Sequence, residues 1–382
     1  MKQLPQYALE ILNILQNAGF EAYAVGGCVR DAVMGKTATD TDITTSAKPE
    51  EIQALFPRSV LTGGAYFTVT VFHGNGKAEI TPFRSEGGYS DSRRPDTVGF
   101  AGGLADDLKR RDFTVNTLCF DGVRIIDLLG GQADIQAKVI RCVGDAERRF
   151  NEDALRIMRA FRFAATLGFD IEGGTLNAAI SCADGLKRIS VERIRDELIK
   201  TAVSPAPERI DHLLESGALG FIGLHSSPLL PKLASLPSDT ETRLSALLEM
   251  CGRDALDRLK LPTRQKRVIR GVFDLLDCFP AQKKNAVKRA MNVFSAEVFL
   301  IAATIGETIY GKPHEYSDLF FEIAERKEPY RLSDLELNGQ DLLSAGIRDS
   351  EIGGELKRLL ESVIDNPEIN TKERLLALLK RQ

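Results

Sequence analysis

Ala24-Val25-Gly26-Gly27-Cys28-Val29-Arg30-Asp31, followed by Asp40-Thr41-Asp42-Ile43, is the stretch on which the reading of this chain turns. A short apolar strand, Ala22 to Val25, runs into Gly26-Gly27, and a helix from Val29 to Met34 stops at Gly35. Such a passage leaves backbone N–H groups at a helix start, where unpaired donors and the helix dipole favour an anion. Glycine lets the backbone approach that ligand closely, and Arg30, one turn into the helix, adds a charge-assisted contact to a phosphate. Asp40 and Asp42 stand two apart, so on extended backbone both carboxylates point to one face. They repel each other unless a cation lies between them, and oxygen-only ligation suits Mg²⁺, which commonly takes one or two carboxylates plus phosphate oxygens. Two such ions activate an attacking hydroxyl and stabilise a leaving pyrophosphate. Glu79, on a predicted strand, is the candidate third ligand. Alone, a Gly-Gly reads as a turn and an Asp-x-Asp as solvated surface. With Arg30 between them and strand–helix–strand context around them, they point to phosphoryl chemistry on metal ions.

Outward from this stretch, the first 140 or so residues read as mixed α/β. Leu9 to Ala18 predicts an amphipathic helix closed by Gly19, and another helix begins near Pro49. Thr68 to Phe72 and Ala78 to Phe83 alternate like two strands around Gly74-Asn75-Gly76. Thr117 to Phe120 and Val123 to Ile126 flank Asp121-Gly122, a hairpin-turn signal. After Gly144 the strand signals fade. From Glu152 onward the pattern is helical, broken at Gly168, Gly173-Gly174, Pro205, Pro262, Pro280 and Pro329. The expected class is α+β: an α/β head with a small mixed sheet, then a long helical region.

At 382 residues the chain is too long for one compact core. No apolar run approaches the roughly 20 residues of a membrane span, and Met1 to Pro5 lacks a signal peptide's apolar segment. The six cysteines include no C-x-x-C pair, which fits reduced thiols and a cytoplasmic setting better than disulfides or zinc. The four histidines stand alone, so no His-based metal cluster is visible. A net charge of −4 means that any nucleic-acid binding must use local basic surfaces.

The run from Gly26 to Asp31, then Gly35, then Asp40-Thr41-Asp42, resembles the first motif of class II tRNA nucleotidyltransferases and bacterial poly(A) polymerases. Four further stretches resemble that family's later motifs in order: Arg110 to Asn116, Asp127 to Gly131, Glu152 to Ala164 and Arg188 to Arg193. Ala146 and Ala154 depart from it, standing where proline is common in relatives. The resemblance implies a catalytic head over residues 1–143. A helical neck that recognises the base would follow over 144–200, then a helical body over 201–300 and tail over 301–382, both meeting tRNA. Leu335 to Gly346 and Asn370 to Leu379 are similar to the family's tail. It further implies CTP and ATP as substrates, Arg111 on phosphate, and Asp112 accepting from a ribose 2′-OH with help from Asn116. Arg84 to Leu104 resembles the family's flexible loop, which helps the site switch from C to A. Lys109, Arg110, Arg111 and the basic C-terminal helices are candidates for tRNA phosphates.

The fourth motif also has a physical reading. Asn151 is expected to cap a helix whose first turn carries Glu152 and Asp153, which makes Asp153 and Arg156 neighbours on one face. An ionised aspartate only accepts hydrogen bonds and an arginine only donates them. Cytosine and adenine both present an amino donor beside a ring-nitrogen acceptor, whereas uracil and guanine present the reverse. The pair therefore fits C and A and leaves mismatched polar groups with U and G. Arg159 and Arg162 reach the triphosphate or hold the pair in position.

The expected activity is addition of C, C and A to the 3′ end of tRNA, with no obligate protein partner and no membrane. The rival readings within the family are an A-adding or CC-adding partial enzyme and a poly(A) polymerase. Outside it stand a catalytically silent RNA-binding protein, which the Asp40/Asp42 pair argues against, and a small-molecule adenylyltransferase, which leaves the base-reading helix unexplained.

Overall fold

The computed structural model describes residues 4–38, 40–62, 67–87, 97–312 and 315–379. They form two compact units, residues 1–226 and 227–382.

The first unit is built on a seven-stranded mixed sheet. Its strands are β1 (Ala22–Val25), β2 (Asp42–Thr45), β3 (Ser59–Leu61), β4 (Val69–His73), β5 (Gly76–Pro82), and, after an intervening two-stranded sheet, β8 (Cys119–Phe120) and β9 (Ile125–Ile126). The spatial order is β3-β4-β5-β2-β1-β8-β9. Only β2 and β5 run parallel, with Asp42 opposite Glu79 and Ile43 opposite Ile80. Along β5, Ala78 and Ile80 are buried while Lys77 and Glu79 are exposed, the period-2 signature of a half-buried strand. Helices α1 (Gln6–Asn17), α2 (Gly27–Val33) and α3 (Pro49–Leu55) supply the apolar partners. Ile11, Leu12, Leu15, Val29 and Ile52 pack with Ile43, Val69, Val71 and Ile80 in one core. The alternation therefore sends Asp42 and Glu79 to the face that this core does not cover.

The intervening sheet joins β6 (Arg84–Gly87) antiparallel to β7 (Thr97–Phe100). Both lie within the predicted flexible loop, whose residues 88–96, including Arg93-Arg94-Pro95, fall outside the described residues. Helix α4 (Leu104–Lys109) then leads to a 3₁₀ turn, Thr114–Asn116. The expected hairpin at Asp121-Gly122 is real but looser, because Cys119 pairs with Ile126 and Phe120 with Ile125. Asp121 accepts from the backbone N–H groups of Val123 and Arg124, which widens the turn.

Strand signals do not stop at Gly144: β10 (Val139–Ile140) pairs in parallel with β11 (Asp170–Ile171). Two residues per strand are too few to show a period. The predicted Asn151 cap is also corrected. Asp145 caps α6 (Ala146–Glu152) by accepting from the N–H of Arg148 at 2.7 Å. Asp153 then breaks the helix in extended conformation and accepts from Leu155 N at 3.0 Å, starting α7 (Leu155–Leu167). An earlier cap and a second break outcompete Asn151. Ala146 occupies the first helical position, where proline is also favoured. Gly173-Gly174, expected as a break, instead opens α8 (Gly173–Ser181), capped by Glu172. Helix α9 (Val191–Ala202) packs against α7.

The second unit is helical, including α10 (Thr263–Asp277), which follows Pro262, and α11 (Ala296–Tyr310), which packs against it. Leu335, Leu337, Leu342, Leu359 and Leu375 share one core, and Asn370 bridges the backbone of Asp334 and Glu336. Among the described residues no helix is long and apolar enough to cross a membrane.

Candidate active site

Gly26 shapes the site from the backbone. It precedes α2 with φ 81° and ψ −137°, a conformation that disfavours any side chain. A Cβ there would stand 3.6 Å from Arg111 Nη1 and 3.8 Å from Asp42 Oδ2. The glycine thus keeps open the gap between a guanidinium and a carboxylate. Its own N–H is not available to a phosphate, because it donates to Leu118 O at 3.2 Å.

That gap belongs to a cavity of about 480 Å³, which collects Gly26, Gly27, Arg30, Asp40, Asp42, Arg111, Asp112, Asn116, Arg159 and Arg162 from the sequence-predicted set. Cys28, Asp31 and Phe163 complete its wall. Three predicted residues are not part of this lining. Glu79 borders the neighbouring cavity that shares Asp40 and Asp42. Asp153 and Arg156 line neither cavity.

The acidic side of the cleft is electrostatically tense. Asp42 is accessible at the wall, yet burial pushes its carboxyl above the usual range; Arg111 pulls it down, and Glu79 and Asp40 push it up again. Asp42 thus senses two further carboxylates at the edges of β2 and β5.

The basic side is organised by buried carboxylates. Asp107 is fully buried and accepts from Arg110 Nε at 3.0 Å, Arg111 Nη2 at 3.2 Å, Thr44 Oγ1 at 3.2 Å and the N–H of Arg84 at 3.2 Å. Arg111 is held there with its buried Nε donating to no group among the described residues, an orphan donor at the wall of the cleft. Arg30 is committed on both sides: Nη1 donates to Asn116 Oδ1 at 2.7 Å, and Nε donates to Asp31 Oδ1 at 2.9 Å.

Asp112 accepts from Arg159 Nε at 2.9 Å, Asn116 Nδ2 at 3.1 Å and its neighbour Phe113 N at 2.8 Å. Burial alone would raise its carboxyl, but the Arg159 charge and these hydrogen bonds outweigh burial and hold it at about 2. Arg162 pairs with Glu197 of α9. Burial, and then the like charge of Arg159, leave its guanidinium below its ordinary value despite Glu197.

The predicted adjacency of Asp153 and Arg156 takes a different form. Arg193 Nη2 donates to Asp153 Oδ2 at 3.0 Å. Arg156 Nη1 donates to Glu152 Oε2 at 2.9 Å and its Nη2 to Arg110 O at 3.3 Å. The break at Asp153 turns the two side chains toward separate partners. Asp153 is still close enough for its charge to act on Arg159.

Four residues on which this geometry depends were not singled out from the sequence as site residues: Asp107, Phe163, Arg193 and Glu197. Asp107 had a usable signal, since it stands three and four residues before Arg110 and Arg111 on the turn that joins them. Phe163 had none. Its ring centroid lies 5.5, 5.3 and 3.9 Å from the guanidinium carbons of Arg30, Arg159 and Arg162, a convergence that only the fold produces.

Comparison with known proteins bears on this site directly. Residues 22–141 match the model of the poly A polymerase head domain. Residues 168–225 match that of a probable RNA and SrmB-binding site of polymerase A. A CCA-adding enzyme of Lactobacillus helveticus is 36% identical over 381 residues, covering 94% of this chain and 92% of the relative. The chain belongs to the CCA-adding enzyme family. Another CCA-adding enzyme, from Streptococcus gordonii, is 48% identical over 219 residues, covering 57% of this chain and 55% of the relative. The crystal structure of the Bacillus stearothermophilus CCA-adding enzyme in complex with CTP superposes with a TM-score of 0.82 at 31% identity, covering 98% of this chain and 96% of that one. Membership of the CCA-adding enzyme family explains why the five sequence motifs occur in one order across the head and the helices that follow it.

Proposed function

We propose that this chain adds C, C and A to the 3′ end of tRNA, using CTP and ATP and releasing pyrophosphate. The observation that carries the reading is the cleft itself. Asp40 and Asp42 face an arginine wall across Gly26, within a chain of this family. A nucleoside triphosphate carries several negative charges on oxygens, and Arg111, Arg159 and Arg162 are the cations at hand. The bound CTP in the Bacillus stearothermophilus relative supports the nucleotide class. The match over residues 168–225 supports RNA as the partner.

The donor set fits Mg²⁺. Among the described residues no three His, Cys, Asp or Glu side chains close into a metal cage. Yet Asp42 senses both Asp40 and Glu79, and a pair of carboxylates completed by phosphate oxygens is a set that Mg²⁺ takes readily. Asp40 and Asp42 would hold the ions, with Glu79 beside them, and the ions would supply charge to activate the hydroxyl and steady the pyrophosphate. Asp112, held ionised at about 2, accepts from the ribose 2′-OH, with Asn116 keeping it in place. Arg111 offers its orphan Nε to a phosphate oxygen. In the reaction the terminal 3′ oxygen bonds to the α-phosphorus, the bond from that phosphorus to the β-phosphate oxygen breaks, and the hydroxyl proton passes to water.

Asp153 and Arg156 read the base by exchanging Arg193 and Glu152 for the donor–acceptor edge of C or A. The division into head, neck, body and tail at residues 1–143, 144–200, 201–300 and 301–382 is part of this reading, as is a cytoplasmic setting. The test is incubation with tRNA transcripts ending before C, CC or CCA, with each nucleoside triphosphate in turn. A finished C-C-A end followed by a stop is expected. Arrest after two cytidines, activity only on ends already carrying CC, or a long adenosine ladder on unrelated RNA would each replace the proposal by a named relative.

A further inference from the structure

Arginines crowd one end of the cleft, and like charges brought together repel. The like charge of Arg159 works against that of Arg162 in this way. Yet Arg30, Arg159 and Arg162 all converge on a side chain that carries no charge, Phe163.

Its ring is shared between core and cleft. It packs with Ala160, Phe169 and the fully buried Phe113, meeting the Phe113 ring edge to face at a centroid distance of 5.7 Å. It also lines the cavity that holds Asp40 and Asp42. Phe163 is only 8% exposed, so the core fixes where the ring stands. Arg159 precedes it by four positions and shares its side of α7, whereas Arg30 arrives from α2.

Each guanidinium is also held by oxygens: Arg30 by Asp31 and Asn116, Arg159 by Asp112, Arg162 by Glu197. The ring adds a contact of a different kind. A carboxylate takes a guanidinium by its in-plane N–H donors, the same donors that a phosphate needs. An aromatic face attracts the cation through its quadrupole and leaves those in-plane donors alone. Arg162, with its guanidinium carbon 3.9 Å from the ring centroid, shows the consequence. Its Nε donates to Glu197, while its two Nη groups donate no hydrogen bond among the described residues. Of the three arginines, the one nearest the ring therefore keeps the most donors for an incoming oxygen.

From this arrangement we infer that Phe163 is a positioning residue of the triphosphate site. Its ring holds Arg159 and Arg162 together before the nucleotide arrives, at a spacing that their mutual repulsion opposes, and it does so without consuming the donors that meet phosphate. The inference rests on the functional reading above and adds to it a residue that acts through the arginines. Every nucleoside triphosphate carries the same phosphates, so the ring serves C and A alike and takes no part in reading the base.

The test places fluorinated phenylalanines at residue 163 of the full chain. One, two and three ring fluorines weaken the quadrupole stepwise and change the shape little, so the packing against Phe113 is kept. The KM for CTP is expected to rise about twofold with each fluorine, each step equivalent to about 0.4 kcal/mol. The inhibition constant of inorganic pyrophosphate, which meets the same arginines, rises in step. The kcat, the KM for tRNA and the preference for CTP over UTP stay within about twofold of the wild type. Phe163→Leu, which removes the ring altogether, raises the KM for CTP about tenfold. An active fluorinated series whose KM for CTP stays flat shows that the ring only fills the core, and overturns this inference alone. A series in which the KM for tRNA or the preference for CTP over UTP moves instead overturns it too. A wild type that extends no tRNA overturns the functional reading, and this inference with it.

Discussion

The two units treat charge in opposite ways. In residues 1–226, charged groups around the cleft are drawn inside and tied across elements distant in sequence: Arg30 to Asn116, Arg159 to Asp112, Arg162 to Glu197. In residues 227–382 many ion pairs lie at the helix surfaces, as in Arg264 with Glu297, Arg289 with Asp365 and Arg253 with Asp277. Lys288, buried against Glu328, is an exception there. Burying a charge carries a desolvation penalty of several kcal/mol that a partner repays only with good geometry. Such buried and half-buried pairs concentrate around the cleft of the first unit. The surface pairs of the second unit have no comparable consequence.

The comparison can be broken at four points, taken from the largest effect down. Asp42→Ala or Asp40→Ala is expected to abolish addition of both C and A. The loss is on the order of 10³-fold or more, as expected when several kcal/mol of metal-borne stabilisation disappear, while tRNA binding persists in a filter assay. Near-normal turnover at saturating Mg²⁺ would sink the metal assignment.

Asp112→Ala leaves Arg159, half-buried at the cleft wall, without its partner and should destabilise the first unit by about 1–3 kcal/mol in denaturant melts. The same contact has a pH signature. The folded carboxyl sits at about 2, below its unfolded value. Its stabilisation is therefore complete above about pH 4 and is lost as pH falls through 2. The wild type loses about 2 kcal/mol over that window, and an Asp112→Asn protein with the same acid limb would show that the pair contributes nothing.

Arg156→Ala sharpens the picture at the turn proposed to read the base. Discrimination against UTP and GTP should fall by the equivalent of about 1–3 kcal/mol, with tRNA affinity little changed. An unaltered UTP-to-CTP ratio in steady-state assays means that Arg156 only braces Glu152 and the backbone of Arg110. Smallest of all, Arg264→Ala removes a surface pair of the second unit and should shift stability by less than about 1 kcal/mol. A loss of several kcal/mol would erase the contrast between the units.

The chain's local grammar made much of the first unit legible. Alternation located β4 and β5, and Gly74-Asn75-Gly76 located their turn. Gly26, Gly35 and Gly168 mark ends where only a residue tolerant of positive φ fits well. The spacing of Asp40 and Asp42 made the acidic side of the cleft legible, and the later strand put Glu79 opposite Asp42 at its border. Sequence was weaker at the helix junction, where Asn151, Glu152 and Asp153 all favour a helix start and only the earlier cap at Asp145 decides between them.

What the sequence determined by itself, then, was whatever depends on neighbours a few residues apart: strand period, turn chemistry, the pairing of carboxylates and the order of motifs. Tertiary structure alone decided which partner each charge received. Asp42 meets Glu79 only because β2 and β5 pair in parallel register. Phe163 gathers Arg30 with Arg159 and Arg162 only because α7 packs beside the turn that follows α4. Asp153 faces Arg193, forty residues away, instead of Arg156. The physical reason is range. Backbone preferences act over a few bonds, whereas a buried charge is satisfied by whatever opposite charge the packed core brings within hydrogen-bond distance, and that distance carries no trace in the spacing of the residues along the chain.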